Sequence, residues 1–161
     1  MTIKVGDTLP SATFRIATAD GPVPKSTEEI FKNKKVVLFA VPGAFTPTCH
    51  KNHLPSFVAR AEDIFAKGVD TIAVTAVNDP FVLAAWESAS NTGGKILFLS
   101  DGNGDFAKAL GLELDASGAG LGLRSKRYSM LVEDGVVKVL NIEPAPGKAD
   151  VTNADVLLTQ I

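Results

Sequence analysis

Val36-Val37-Leu38-Phe39-Ala40-Val41-Pro42-Gly43-Ala44-Phe45-Thr46-Pro47-Thr48-Cys49 reads as a strand, a turn and the opening of a helix. An unbroken apolar run rich in Val and Phe suits a strand buried on both faces. Pro42-Gly43 turns the chain, and Thr46-Pro47 has the order of an N-cap followed by the first helical residue, where proline's missing N–H costs nothing. Cys49, the single cysteine, then falls in the first turn. A helix start leaves backbone N–H groups unpaired and carries a partial positive charge. Both favour the thiolate, the nucleophilic form of the side chain. A strand buried on both faces also requires helices on both sides of its sheet, which sets the fold class as α/β.

The flanking sequence repeats that alternation. Residues 1–25 read as an irregular arm with short strand pieces such as Thr13-Phe14-Arg15-Ile16, punctuated by Pro10, Gly21, Pro22 and Pro24. Ser26-Thr27-Glu28-Glu29 is a capping box for a short helix through Phe31. From Pro47 to about Lys67, Leu54, Phe57, Val58, Ala61, Ile64 and Phe65 recur at helical steps, with Pro55 expected to kink the helix. Val69–Val77 is a second buried strand, and Asn78-Asp79-Pro80 leads into a helix carrying Phe81, Leu83 and Trp86. Ile96–Leu99 is a third strand, Asp105–Leu110 a short helix, and Asp115–Gly122 a Gly-rich loop. Tyr128–Glu133 and Val136–Ile142 flank Asp134-Gly135 as a hairpin. Thr152 or Asn153 caps a last helix. No repeat or linker interrupts this pattern, so residues 1–161 are expected to form a single domain.

Composition removes several classes of function. The 161 residues carry a net charge of −2 and are 45% hydrophobic and 21% charged, which is ordinary for a globular domain and gives no reason to invoke nucleic acid or an anionic membrane. No apolar run is long enough to span a bilayer. One cysteine cannot form an internal disulfide framework, and an unpaired thiol suits a reducing compartment. The N-terminus has no signal-peptide core, so a cytoplasmic location is expected. Asp101-Gly102-Asn103-Gly104-Asp105 begins like a calcium loop, but Phe106 and Leu112 stand where that loop needs Gly and Glu. No cofactor is expected.

A helix end stabilises an anion by only about 0.3–1 kcal/mol, whereas a hundredfold preference for the thiolate takes about 2.7 kcal/mol. A cation must therefore come from elsewhere in the chain. Arg124 and Arg127 stand before the strand that begins at Tyr128, and a strand beside Val36–Val41 would deliver one of them. From spacing alone, Gly122–Arg127 reads equally well as a solvated basic turn.

Pro42-Gly43-Ala44-Phe45-Thr46-Pro47-Thr48-Cys49 resembles the peroxidatic signature of the peroxiredoxins, Pro-x-x-x-Thr-x-x-Cys, in the form found in the peroxiredoxin 5 (type II) branch. Val77-Asn78-Asp79-Pro80-Phe81-Val82, Arg124-Ser125-Lys126-Arg127-Tyr128-Ser129-Met130 and Asn141-Ile142-Glu143-Pro144 extend the likeness over nearly the whole chain. It implies a thioredoxin-like fold, a central mixed β-sheet flanked by helices, and thiol peroxidase activity on hydrogen peroxide and alkyl hydroperoxides. On the same basis Cys49 is the peroxidatic cysteine, Thr46 hydrogen-bonds the peroxide, Pro42 shields the site, Arg127 is the active-site arginine and Arg124 supports it. Family members place a second cysteine where this chain has Val151 or Val74. Regeneration is therefore expected from an external thiol, glutathione with or without glutaredoxin first and thioredoxin second. The resemblance further implies a homodimer face that includes Phe45, Phe81 and Leu121.

Two rival readings use the same residues. Cys49, His50 and His53 have ligand-like spacing on a helix, so they could hold a metal; His53 could equally be an exposed helix residue. A thioredoxin scaffold could also serve as an interaction protein without activity, although such a scaffold has no need of the Pro42, Thr46, Cys49 and Arg127 set.

Overall fold

The computed structural model describes residues 1–161. In chain order the first elements are β1 (Thr13–Thr18), β2 (Gly21–Ser26), α1 (Thr27–Phe31), β3 (Lys35–Ala40), a π-helical turn (Cys49–His53), α2 (Leu54–Ala59), α3 (Ala61–Phe65), β4 (Thr71–Ala76) and α4 (Pro80–Ser90). They are followed by β5 (Leu97–Ser100), α5 (Asp105–Leu110), β6 (Glu113–Asp115), a 3₁₀ turn (Ser117–Ala119), β7 (Leu123–Ser125), β8 (Tyr128–Glu133), β9 (Val136–Ile142) and α6 (Ala154–Leu158).

Seven strands make one mixed sheet in the order β2-β1-β5-β4-β3-β8-β9. β3, β4 and β5 run parallel, while β8 pairs antiparallel with β3. Alternation along β3 divides the core. Val37, Phe39 and Val41 pack with Leu54, Phe57, Ile64 and Trp86 on one face. Val36, Leu38 and Ala40 pack with Phe14, Phe31, Phe106 and Leu110 on the other. Each fully buried apolar side chain of this size contributes about 1.5–3 kcal/mol, so β3 is the best-anchored segment next to Cys49.

The structure departs from the sequence expectations in three places. The arm contains a full hairpin, β1 with β2, because Pro22 and Pro24 lie on the outermost strand, where a missing N–H breaks no ladder bond. The Gly-rich stretch is not simply a loop. Its flanks pair as β6 and β7 in a separate two-stranded sheet, with the 3₁₀ turn between them.

The third departure is the long helix after Cys49, which is broken twice. The Leu54 N–H donates to the Cys49 carbonyl, five residues back. Proline 55 has no N–H to give, and its ring would press on the carbonyl four residues earlier, so the wide turn just ahead of it relieves the conflict. Arg60 (φ −106°, ψ 9°) then separates α2 from α3. Asn153, not Thr152, caps α6, accepting from the Val156 N–H at 3.1 Å.

Candidate active site

Pro42 and Gly43 are buried immediately after β3, and Phe45 adopts a positive φ of 64° before the helix begins. The Ala44 N–H donates to Asn78 Oδ1 (2.9 Å), tying this loop to the end of β4. Thr46 caps with its backbone, its carbonyl accepting from the His50 N–H at 2.9 Å. Its hydroxyl, however, donates to the Gly43 carbonyl at 2.6 Å. The expected capping role of that hydroxyl is therefore replaced by a fixed orientation in which its lone pairs remain free to accept.

Cys49 is completely buried, and Arg127 Nη2 donates to its Sγ at 3.0 Å. The topology explains the delivery. Tyr128 sits opposite Ala40 in the β3–β8 ladder and packs on the far face with Leu38 and Met130. Its predecessor must point to the near face, where Cys49 lies. The Arg127 carbonyl accepts from the Glu143 N–H (2.9 Å), which closes the ladder just beyond β9.

Arg127 is 2% exposed and has no carboxylate in ion-pair contact. Its guanidinium is held by neutral acceptors: the Pro146 carbonyl takes Nε (3.4 Å) and Nη2 (3.1 Å), and His53 Nδ1 takes Nη1 (2.9 Å). A buried cation without a compensating charge is costly, and the Cys49 sulfur is the contact able to become an anion.

His53 is fully buried, and it is the residue whose role the sequence concealed. Its Nε2 lies 2.9 Å from the Thr152 carbonyl. A guanidinium cannot accept and a carbonyl cannot donate, so Nε2 carries the proton and Nδ1 is bare. Burial, reinforced by the charge of Arg127, pushes His53 down from 6.5 to about 3, against the opposing hydrogen bond to Thr152. With both ring nitrogens engaged, His53 is neither an exposed helix residue nor a free ligand. The neighbouring His50 accepts from Trp86 Nε1 at its Nδ1 (3.1 Å). The rival Cys49–His50–His53 metal reading therefore loses His53 as a free ligand.

Arg124 does not reach the sulfur. Its Nε donates to the Leu121 carbonyl (2.9 Å) and its Nη1 to the Pro42 carbonyl (3.4 Å), bracing the loop from outside. The choice between the two arginines thus falls to Arg127 for sulfur contact and Arg124 for support.

Pro42, Thr46, Arg127, Leu114, Leu121 and Pro146 are among the residues that line a groove of about 460 Å³ beside the helix start. The Thr48 hydroxyl donates to the Gly147 carbonyl (2.7 Å), joining the helix start to the loop that also holds Arg127. Phe45 and Phe81 stand out into solvent, 47% and 69% exposed, and Leu121 is half-buried. Chemically, the site offers a buried sulfur, a cationic donor fixed beside it and a hydroxyl acceptor one turn away, under an apolar rim.

The redoxin family profile matches residues 4–158. The chain is 52% identical over 147 residues to the chloroplastic peroxiredoxin-2E-2 of Oryza sativa subsp. japonica, covering 88% of this chain and 65% of that protein. It is 48% identical to the chloroplastic peroxiredoxin-2E of Arabidopsis thaliana, of which it spans 62%. The chain thus spans less than two thirds of the length of these two relatives. With the rice peroxiredoxin-2C it shares 45% identity over 157 residues, 97% of this chain and 96% of the other. Among solved structures, reduced Prx3 of Vibrio vulnificus in complex with hydrogen peroxide superposes with a TM-score of 0.93 at 51% identity, covering 99% of both chains. Peroxiredoxin 5 of Alvinella pompejana superposes with a TM-score of 0.84 at 38% identity over 98% of each chain.

Proposed function

Because this chain belongs to the redoxin family and is similar to peroxiredoxins 2E-2 and 2C, we propose that it is a thiol peroxidase that reduces hydrogen peroxide and alkyl hydroperoxides at Cys49. The observation that carries the reading is the buried, carboxylate-free Arg127 guanidinium donating to the Cys49 sulfur.

A hydroperoxide enters the groove and donates its O–H to Thr46 Oγ1, which the Gly43 carbonyl holds in an accepting orientation. The Cys49 thiolate attacks one peroxide oxygen. An S–O bond forms as the O–O bond breaks, and the sulfur loses two electrons. The departing hydroxide or alkoxide takes up from solvent a proton equivalent to the one the thiol released on ionising and leaves as water or alcohol, and Cys49 is left as a sulfenic acid. Negative charge moves from sulfur onto the leaving oxygen during the step. Arg127 already faces that region, so no reorganisation is needed to stabilise the shifting charge. Pro42, on the groove wall, helps to exclude water.

The chain has no second thiol. An external thiol condenses with the sulfenic acid, releasing water and leaving a mixed disulfide, and a second thiol displaces Cys49. Glutathione with glutaredoxin is the favoured donor and thioredoxin the alternative. Cys49 is buried, so either thiol requires the helix start to open by breaking the Thr48–Gly147 contact. The protein acts as a homodimer through the face bearing Phe45, Phe81 and Leu121, and in the cytoplasm, where a free thiol persists.

The test is turnover of hydrogen peroxide and of an alkyl hydroperoxide with glutathione, with glutathione plus glutaredoxin, and with thioredoxin, using Cys49→Ser as control. Turnover with at least one donor that is lost in Cys49→Ser supports the reading. No turnover with any donor, or turnover retained in Cys49→Ser, overturns it.

A further inference from the structure

The guanidinium of Arg127 has three kinds of work to do at once. It must stay charged, stay buried and keep Nη2 aimed at one sulfur. A carboxylate would hold it firmly but would cancel the charge that Cys49 needs. The structure uses neutral acceptors instead. Of these, the Pro146 carbonyl belongs to the loop spanning residues 143–150. His53 belongs to the same π-helical turn as Cys49, so it moves with the sulfur.

We propose that His53 is a positioning residue for the peroxidase reaction: its bare Nδ1, held outward by the Nε2–H bond to the Thr152 carbonyl, fixes Nη1 of Arg127 and thereby points Nη2 at Cys49. The inference rests on the peroxidase reading of the site.

The geometry supports it at each link. Thr152 is itself fully buried, and its hydroxyl donates to Glu143 Oε2 at 2.9 Å. The same carboxylate oxygen accepts from the Val151 N–H at 3.1 Å. Glu143 therefore anchors residues 151 and 152, whose Thr152 carbonyl selects the His53 tautomer, and that tautomer presents an acceptor to the guanidinium. The other tautomer would set an N–H against Arg127, and a flipped ring would present it with a C–H, so either change loses the acceptor. The ring also packs, tilted, against Phe39 and Phe57, with centroids at 5.0 Å and 5.6 Å, which restricts smaller excursions. The π-helical turn has a use in this account: it widens the backbone between Cys49 and Pro55, where His53 must turn inward beside the sulfur.

Three substitutions separate positioning from simple packing. In His53→Asn the side-chain oxygen can take the place of Nδ1, keeping the acceptor for Arg127 and losing the donor to Thr152. In His53→Gln the amide can take the place of Nε2, keeping the donor and losing the acceptor. His53→Asp keeps the acceptor and adds a negative charge. The assay is the second-order rate of Cys49 oxidation by hydrogen peroxide in a single turnover of the reduced protein, with thermal melts as a check of folding.

His53→Asn is expected to stay within about fivefold of the unsubstituted protein, and His53→Gln and His53→Asp to fall at least twentyfold. A double-substitution cycle with Arg127→Gln makes the test specific. If His53 acts through Arg127, His53→Gln costs less than threefold once Arg127 is gone. Equal losses in His53→Asn and His53→Gln, or an undiminished loss in the Arg127→Gln background, would overturn the proposal. The outcome is separate from the peroxidase reading, which stands or falls on Cys49→Ser.

Discussion

Replacing Arg127 with Gln removes the one cation that touches the sulfur while keeping a polar side chain in a buried space. At the observed 3.0 Å between Nη2 and Sγ, two unit charges attract by about 5.5 kcal/mol at an effective dielectric of ~20 and by about 1.4 kcal/mol at that of water. The burial of both groups argues for the upper part of that range. At about 1.4 kcal/mol per factor of ten, the rate of Cys49 oxidation by hydrogen peroxide should fall by roughly 10²- to 10⁴-fold. Stability should respond differently. Losing the donor for the Pro146 carbonyl and for His53 Nδ1 costs about 1–3 kcal/mol at each group, while relief from the cost of desolvating the guanidinium returns several kcal/mol. The two nearly cancel. The assay is a stopped-flow single turnover of reduced protein beside a thermal melt. A loss smaller than tenfold in a folded Arg127→Gln protein, below even the value for full solvent screening, would refute the electrostatic account of the site.

Other outcomes follow from the same contacts. His53 is held near 3 in the folded protein against 6.5 when unfolded, so the unfolded chain binds the extra proton between those values. Stability therefore declines as pH falls through that window, by about 1.4 kcal/mol per unit, and urea titrations at pH 7 and pH 5 should show a loss near 2 kcal/mol that is absent in His53→Asn. Gly43→Ala would set a methyl group 2.8 Å from Arg124 Nη1 and 3.1 Å from Thr46 Cγ2. Displacing both side chains should slow peroxide reduction several-fold with little change in melting temperature, since the arginine end can move aside. Phe45→Glu combined with Phe81→Glu places charges on the exposed aromatic face; if that face forms the proposed homodimer, sedimentation velocity should report a dimer for the unsubstituted protein and a monomer for the double variant.

Much of the fold was legible along the chain because its signals are local. The Ser26–Glu29 capping box is present with both reciprocal bonds. Asp134 and Gly135 take the positive φ values, 47° and 78°, that a two-residue hairpin demands. Gly111 closes α5 in a left-handed conformation, where a Cβ would lie 2.5 Å from the Met1 carbonyl oxygen. The β1–β2 hairpin was less legible, since two prolines argue against a strand until the strand is known to be outermost. The split of the long helix was misplaced for a similar reason. Pro55 announces a defect, but whether the defect becomes a kink or a wide turn depends on what the helix packs against.

The sequence by itself determined that a lone thiol follows a buried strand at the opening of a helix, because periodicity, capping and proline geometry act within a few residues. Spacing left open which arginine meets that thiol, the family resemblance pointed to Arg127, and only the tertiary structure shows the contact and what holds it. Arg124 and Arg127 are three residues apart in one basic turn, and strand pairing with β3 sends one to the sulfur and the other to the Pro42 carbonyl. His53 was hidden for the same reason. Whether a histidine is a ligand, a surface residue or an acceptor for a buried guanidinium depends on partners 74 and 99 positions away in the chain, and no local pattern encodes contacts at that separation.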